Sequence, residues 1–276
     1  MRFIFLGTGT SAGVPLIACS CAVCASADPR DKRLRTGACV QFTDAGGHDR
    51  TILIDSTPDL RQQALRAGLT RCDAIVYTHN HVDHTFGLDD VRRFNAAQKA
   101  PIDIYAEAHT LNHLRRVYQH IFEAAHNVND SFVASLIAHE ISPDKPIDLF
   151  GIRFTPIRLL HGRLPVLGFR IEPQDSAPTD SALRPSPFPL AYCTDVSSIP
   201  PESWRLLRGV RTLILDALRE RHHPTHFTLH QAIGVAERIG ADQTRFIHMS
   251  HDLQHAATNA ALPDGMELAY DGLVLE

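Results

Sequence analysis

The densest chemistry in the sequence is His79-Asn80-His81-Val82-Asp83-His84, directly after the apolar run DAIVYT at 73–78. Four potential metal ligands fall within six positions, at the C-terminal end of a predicted buried strand. A zinc-protease helix would set its two histidines four residues apart. His79 and His81 are two apart, so an extended segment turns both imidazoles to the same side. Asp83 and His84 then turn back from the loop and can meet a second ion. Imidazole and carboxylate together suit Zn, Mn or Fe. Further ligand types stand at the ends of other apolar runs: His161 closes IRFTPIRLLHG, Asp195 follows LAYCT, and His248 lies in TRFIHMSH, with His251 three residues on. A lone buried histidine is more often a hydrogen-bonded core residue than a ligand. Their shared placement at strand ends, where a rigid scaffold presents its chemistry, argues for one site.

A second cluster is local. Cys19, Cys21 and Cys24 fall within six residues, a crowding that favours a metal site over disulfides, with a redox thiol cluster as the alternative. Cys39, Cys72 and Cys193 stand apart in apolar or strand-like surroundings and read as small buried hydrophobes.

These residues need a scaffold. The chain has 276 residues, 44% hydrophobic and 21% charged, with net charge −4. That balance excludes disorder and coiled coil, and gives no general attraction to nucleic acid or an anionic membrane. No apolar run reaches the roughly 18 residues needed to span a bilayer. The N-terminus MRFIFLGTGT is too short in apolar residues for a signal-peptide core, so a cytoplasmic location is expected.

Apolar runs bounded by turn signals predict strands at 3–6, 51–54, 74–77, 102–105, 149–154, 167–171, 190–193, 212–215, 246–249 and 273–276. Helical spacing predicts helices at Asp59–Leu69, His109–Phe122 and Leu229–Ile239, the last stopped by Gly240. The Pro- and Ser-rich stretch 173–189 reads as an exposed loop inserted between two strands. The pattern predicts a layered α/β protein with two sheets, one domain over 1–276.

Together, the FLGTGTSAGVP opening, the strand ending in Asp55, HNHVDH, His161, Asp195 and the final IHMSH resemble the metallo-β-lactamase-fold hydrolases over nearly the whole chain. The resemblance implies an α/β (α+β) four-layer αββα sandwich holding two divalent metals, Mn or Zn. Carried over by motif, His79, His81 and His161 would bind one ion, Asp83, His84 and His248 the other, and Asp195 both. Within the superfamily, GVPLIACSCAVC at 13–24 is similar to the opening of the phosphoribosyl 1,2-cyclic phosphate phosphodiesterases of phosphonate breakdown. That likeness implies a structural zinc on Cys19, Cys21, Cys24 and His251, a closed Cys₃His set, and a catalytic histidine at His226. His222, His223 and His230 crowd the same region, so that assignment can slip along the chain. Relative to that group, 109–140 and 173–189 read as insertions. His113, Arg116 and His120 lie on the polar helix face of the first, where they could cap a pocket or simply meet solvent.

The expected reaction is hydrolysis of a small cyclic phosphodiester by a hydroxide that the two metals activate. Asp83 would bind metal and orient the nucleophile, His226 would protonate the leaving alkoxide, and Arg163 could contact a phosphate oxygen. The expected partner is the small substrate, with no membrane and no nucleic acid; a homodimer is compatible with the sequence. The alternatives are a tRNA 3′-processing endonuclease, against which the acidic balance counts, another hydrolase of the same fold, and a non-catalytic metal-binding scaffold.

Overall fold

Phe3 and Phe5 leave the first strand on one side, Ile4 and Leu6 on the other, and all four are buried. A strand covered on both faces needs a continuous apolar run rather than an alternating one, which is why short apolar runs mark the buried central strands. The computed structural model of the protein describes residues 1–128, 131–174 and 186–276. The first sheet comprises β1 (Arg2–Gly7), β2 (Gly37–Thr43), β3 (Asp49–Ile54), β4 (Ala74–Val76), β5 (Ile102–Ala106) and β6 (Leu136–Glu140). The second comprises β7 (Ile147–Leu149), β8 (Ile152–His161), β9 (Leu164–Pro173), β10 (Leu190–Cys193), β11 (Thr212–Asp216), β12 (Gln243–Ile247) and β13 (Met266–Leu268). The last strand, β14 (Val274–Leu275), returns to the first sheet beside β1.

The inner faces meet in a core of Phe3, Phe5, Val40, Ile52 and Ile54 from one sheet and Phe154, Leu167, Phe169, Tyr192 and Ile214 from the other. Each buried Phe contributes about 1.5–3 kcal/mol. Outside the first sheet, Ile4, Leu53 and Ile75 pack on Leu60, Phe94, Leu111 and Leu114 of the helices Leu60–Arg66, Arg92–Gln98 and Ala108–Val117. Outside the second, Leu213, Leu215 and Phe246 pack on Leu229, Ala232 and Ala236 of the helix Leu229–Ile239. The order of layers is helix, sheet, sheet, helix: the αββα sandwich.

Direction places the site. β3 to β6 run parallel, as do β10 to β13, while β8 and β9 reverse in an antiparallel hairpin that leaves β8 pointing the same way as β10. The C-terminal ends of β3, β4, β8, β10, β11 and β12 therefore open on one edge, where α/β sheets gather their ligands.

The structure departs from the sequence reading in places. The run 149–154 is not one strand but the β7–β8 hairpin, turned by Phe150 and Gly151 at φ 54° and 91°. The helix expected over His109–Phe122 breaks at Tyr118, where φ −108° and ψ 42° leave the helical region, into Ala108–Val117 and Gln119–Phe122. The end of the 109–140 stretch forms edge strand β6. The loop expected at 173–189 falls largely on 175–185, outside the described residues. Among the described residues, no helix is long and apolar enough to cross a membrane.

Candidate metal centre

Each side chain of the cluster is delivered by a strand end. β4 leads into His79 and, through His81, into the short helix Val82–Thr85 that carries Asp83 and His84. β8 ends at His161, and its hairpin to β9 turns on Gly162 at φ 64°, where an added Cβ would stand 2.8 Å from Thr225 Cγ2. Asp55, Asp195 and His248 follow β3, β10 and β12, and all three adopt left-handed backbone, φ 65°, 56° and 60°. Such residues cost of order 1–3 kcal/mol each and persist where their surroundings over-determine them. The payoff is convergence: a strand would carry the next side chain past the edge, whereas these bends turn it inward.

Asp195 stands at the centre. Its carboxylate lies 3.2 Å from His84 Nε2, 3.3 Å from His248 Nε2 and 3.9 Å from His79 Nε2. Asp83 Oδ2 lies 3.3 Å from His84 Nε2 and 3.6 Å from His248 Nε2. The ligand atoms of Asp83, His84, Asp195 and His248 come together within 4.8 Å, as do those of His79, His81 and Asp195, and those of His161, Asp195 and His226. The His81 and His161 rings are 5.1 Å apart. Every dinuclear candidate from the sequence is therefore in one place. His79, His84 and His248 present buried Nε2 atoms with no hydrogen-bond partner, although carboxylates stand near. Two N or O ligands bonded tetrahedrally to one ion are roughly 3.4 Å apart. The orphaned nitrogens and their spacing to the carboxylates fit bound cations better than hydrogen bonds.

The far side of each ring is fixed. His84 Nδ1 donates to Asp55 Oδ2 at 2.7 Å, and His161 Nδ1 to the Thr225 carbonyl at 2.7 Å. His79 Nδ1 is 3.0 Å from Thr78 Oγ1, which donates in turn to Asp55 Oδ2 at 2.8 Å. Asp55 therefore orients two rings with one carboxylate and leaves each Nε2 lone pair facing the cluster, the usual outer support of a metal site.

Electrostatics agree. Burial holds His79, His81 and His161 below the ordinary imidazole value, in the neutral form that ligates. Burial acts against charge on His84 and His248 too, but Asp195 and Asp83 outweigh it, lifting His84 well up and His248 to about 9. Burial would raise Asp83 and Asp195, yet His84 and His248 hold both carboxyls below the usual range. This is an anionic pocket that takes protons where it would otherwise take cations.

His226 closes one side. Its Nδ1 donates to Asp216 Oδ2 at 2.7 Å, and its ring stacks on His248 at 4.7 Å and meets His161 at 4.5 Å. A capping box at Thr228 and Gln231 starts the next helix two residues on and fixes this approach. His222 and His230 are exposed, while His223 is half-buried with its ring 5.1 Å from His226. Of these four histidines, His226 is the one that joins the cluster. Arg163 is exposed on the β8–β9 turn, Arg116 is exposed, and His120 pairs at 3.4 Å with Asp89. The Nε2 atoms of His109 and His113 are buried without a partner. Sequence reasoning missed Thr78, Thr225 and Asp216; Asp216, like Asp55, ends or follows an apolar run, the same signal that marked Asp195.

The cysteines also converge. His251 Nδ1 lies 3.3, 3.3 and 3.5 Å from the Sγ atoms of Cys19, Cys21 and Cys24. Cys24 N donates to Cys21 Sγ and Leu16 N to Cys24 Sγ, both at 3.4 Å. Three thiols and one imidazole at tetrahedral spacing suit zinc. Cys39, Cys72 and Cys193 are fully buried, as expected of small core residues.

Comparison with known proteins gives a consistent setting. A family model for the beta-lactamase superfamily domain matches residues 50–249. A crystal structure of a new diphosphatase from the PhnP family superposes with a TM-score of 0.85 at 42% identity, covering 100% of this chain and 97% of that one. An octanoyltransferase of Porphyromonas gingivalis is 37% identical over 275 residues, 99% of this chain but 51% of that protein, so the chain spans about half that relative's length. Zn²⁺-bound PqqB from Methylobacterium extorquens, at 19% identity with full coverage of both chains and a TM-score of 0.75, shares the fold.

Proposed function

This chain belongs to the beta-lactamase superfamily, a fold of metal-dependent hydrolases, and from that premise we propose that it hydrolyses a small cyclic phosphodiester such as phosphoribosyl 1,2-cyclic phosphate. The observation that carries the reading is the Asp216–His226 pair set against the ligand cluster. His79, His81, His161 and Asp195 would hold one divalent ion, and Asp83, His84, Asp195 and His248 the other. Zn or Mn bound there would supply Lewis-acid activation of water and neutralise charge on phosphorus. Asp83, kept ionised beside His84 and His248, orients the attacking water. His226 Nε2 delivers a proton to the departing alkoxide oxygen, while Asp216 keeps Nδ1 protonated and steadies the imidazolium. A ribose alkoxide is a poor leaving group, and an acid so placed answers that need.

A second reading rests on the 42% identical diphosphatase: the bond broken could be a P–O–P linkage. Its leaving phosphate needs less protonation, so the two readings separate on His226. Acyl transfer, the activity in the Porphyromonas relative's name, finds neither Cys nor Lys among the dinuclear ligands, and half of that relative lies outside the match.

The test is to assay a cyclic ribose phosphate, a pyrophosphate diester and bis-p-nitrophenyl phosphate with the wild type and His226→Ala. The diester reading expects the variant to lose on the order of 10²–10⁴ in turnover on the cyclic alkyl ester and far less on the p-nitrophenyl ester. Preferred turnover of the pyrophosphate, with His226→Ala nearly silent, would establish the second reading instead.

A further inference from the structure

The loop after β12 serves both metal clusters. His248 meets Asp83 and Asp195, and three residues later His251 meets the three thiols. His248 sits in left-handed backbone, which its own side chain disfavours, so something outside the residue must impose it. What imposes it comes from the N-terminal loop. Met249 N donates to the Thr8 carbonyl and its own carbonyl accepts from Thr10 N, both at 3.0 Å. Gly9 lies between those two residues, and a Cβ there would stand 2.8 Å from the Arg33 carbonyl and 2.9 Å from Arg33 Cβ.

Arg33 completes the clamp. It is almost fully buried, and its Nη1 donates to the Ser250 carbonyl at 2.8 Å and its Nη2 to the Leu253 carbonyl at 2.5 Å. The two carbonyls flank His251. Asp31, also buried, lies 3.3 Å from Nη2 and accepts from His255 N at 2.8 Å, which fixes the end of the same segment. Burial acts against the guanidinium charge, and hydrophobic residues of similar size are often as stable in such places. What Met could not do is bind carbonyls on both sides of a ligand.

We propose that Arg33 is a positioning residue that couples the two metal clusters. Metal at Cys19, Cys21, Cys24 and His251 anchors the centre of the loop, Arg33 holds its flanks, and together they keep His248 in the bend that presents Nε2 to Asp83 and Asp195. Occupancy of the thiol cluster thereby sets the affinity of the ion held by Asp83, His84, Asp195 and His248. The ion that His79, His81, His161 and Asp195 would hold takes no ligand from this loop, so its affinity should respond far less.

Cobalt(II) titration of the full-length protein tests this, because thiolate-to-cobalt absorption reports the cysteine cluster separately from the weaker bands of the nitrogen–oxygen sites. In Arg33→Met the second nitrogen–oxygen ion is expected to bind about 10–100-fold more weakly, with the first far less affected, and Arg33→Lys should lose less. Wild-type protein whose thiols are blocked by an organomercurial should show the same selective loss without any mutation, which carries the test if Arg33→Met does not fold. Wild-type affinity for both ions after thiol blocking would overturn the proposal, and so would equal weakening of both.

Discussion

The two clusters of potential metal ligands are built in opposite ways. The thiol cluster takes three of its four ligands from six consecutive positions, and only His251 comes from far along the chain. The dinuclear cluster takes its ligands from the ends of four strands, and its carboxylate hub, Asp195, lies more than a hundred residues from His79. A local cluster can keep its geometry when much of the fold is perturbed. A cluster made by sheet topology depends on every strand that feeds it, and on three left-handed bends as well. The first suits a fixed brace; the second, open on one side where His81 is exposed, suits a reaction.

The contrast is sharpest at Asp195, whose carboxylate both nitrogen–oxygen sites share. Asp195→Ala should abolish hydrolysis and strip the dinuclear cluster, while the thiol cluster still binds one equivalent of added zinc; metal analysis of the purified variant checks both halves at once. The next effect is the loss at His226→Ala described above. Asp216→Asn should act through the same ring, lowering turnover of alkyl phosphodiesters about 10–100-fold with metal content intact, measured by steady-state kinetics beside metal analysis. Asp55→Asn should instead weaken metal binding on the order of tenfold, since His79 and His84 both lose their fixed orientation; competition with a chelator reads this directly. The smallest effect belongs to the core thiols. Burial pushes Cys39 and Cys193 up to about 12, so a thiol reagent should modify the native protein at Cys19, Cys21 and Cys24 once metal is removed, and leave these two unlabelled by mass spectrometry.

What could be read in the sequence follows the same division. HNHVDH and the three cysteines are legible because their ligands are neighbours along the chain. His161, Asp195 and His248 were placed by where they stand relative to apolar runs, and by resemblance. Asp216 carries the same strand-end signal as Asp195, but nothing in the sequence joins it to His226, ten residues on across an irregular loop. β2 escaped because Gly37 and Gln41 interrupt its apolar run. β6 escaped because its apolar run, Leu136 to Ala138, is only three residues long and gives way to His139 and Glu140 on a half-exposed edge. The β7–β8 turn was hidden because Phe150, a residue that elsewhere fills strands, occupies its left-handed position next to Gly151. Tyr118 broke the predicted helix while keeping its apolar contact and donating its hydroxyl to the Thr85 carbonyl, so spacing alone could not reveal the break.

The central claim is that one chain holds two metal clusters of different kinds, of which the dinuclear one is the working site. Metal content of the purified protein, measured together with phosphodiester turnover, tests it most directly. The account predicts about three divalent ions per chain, two in the nitrogen–oxygen sites and one on the thiols, with turnover that follows the first two. One ion per chain and no turnover after supplying Zn or Mn would contradict it, leaving a protein that keeps the fold and the thiol brace without the chemistry.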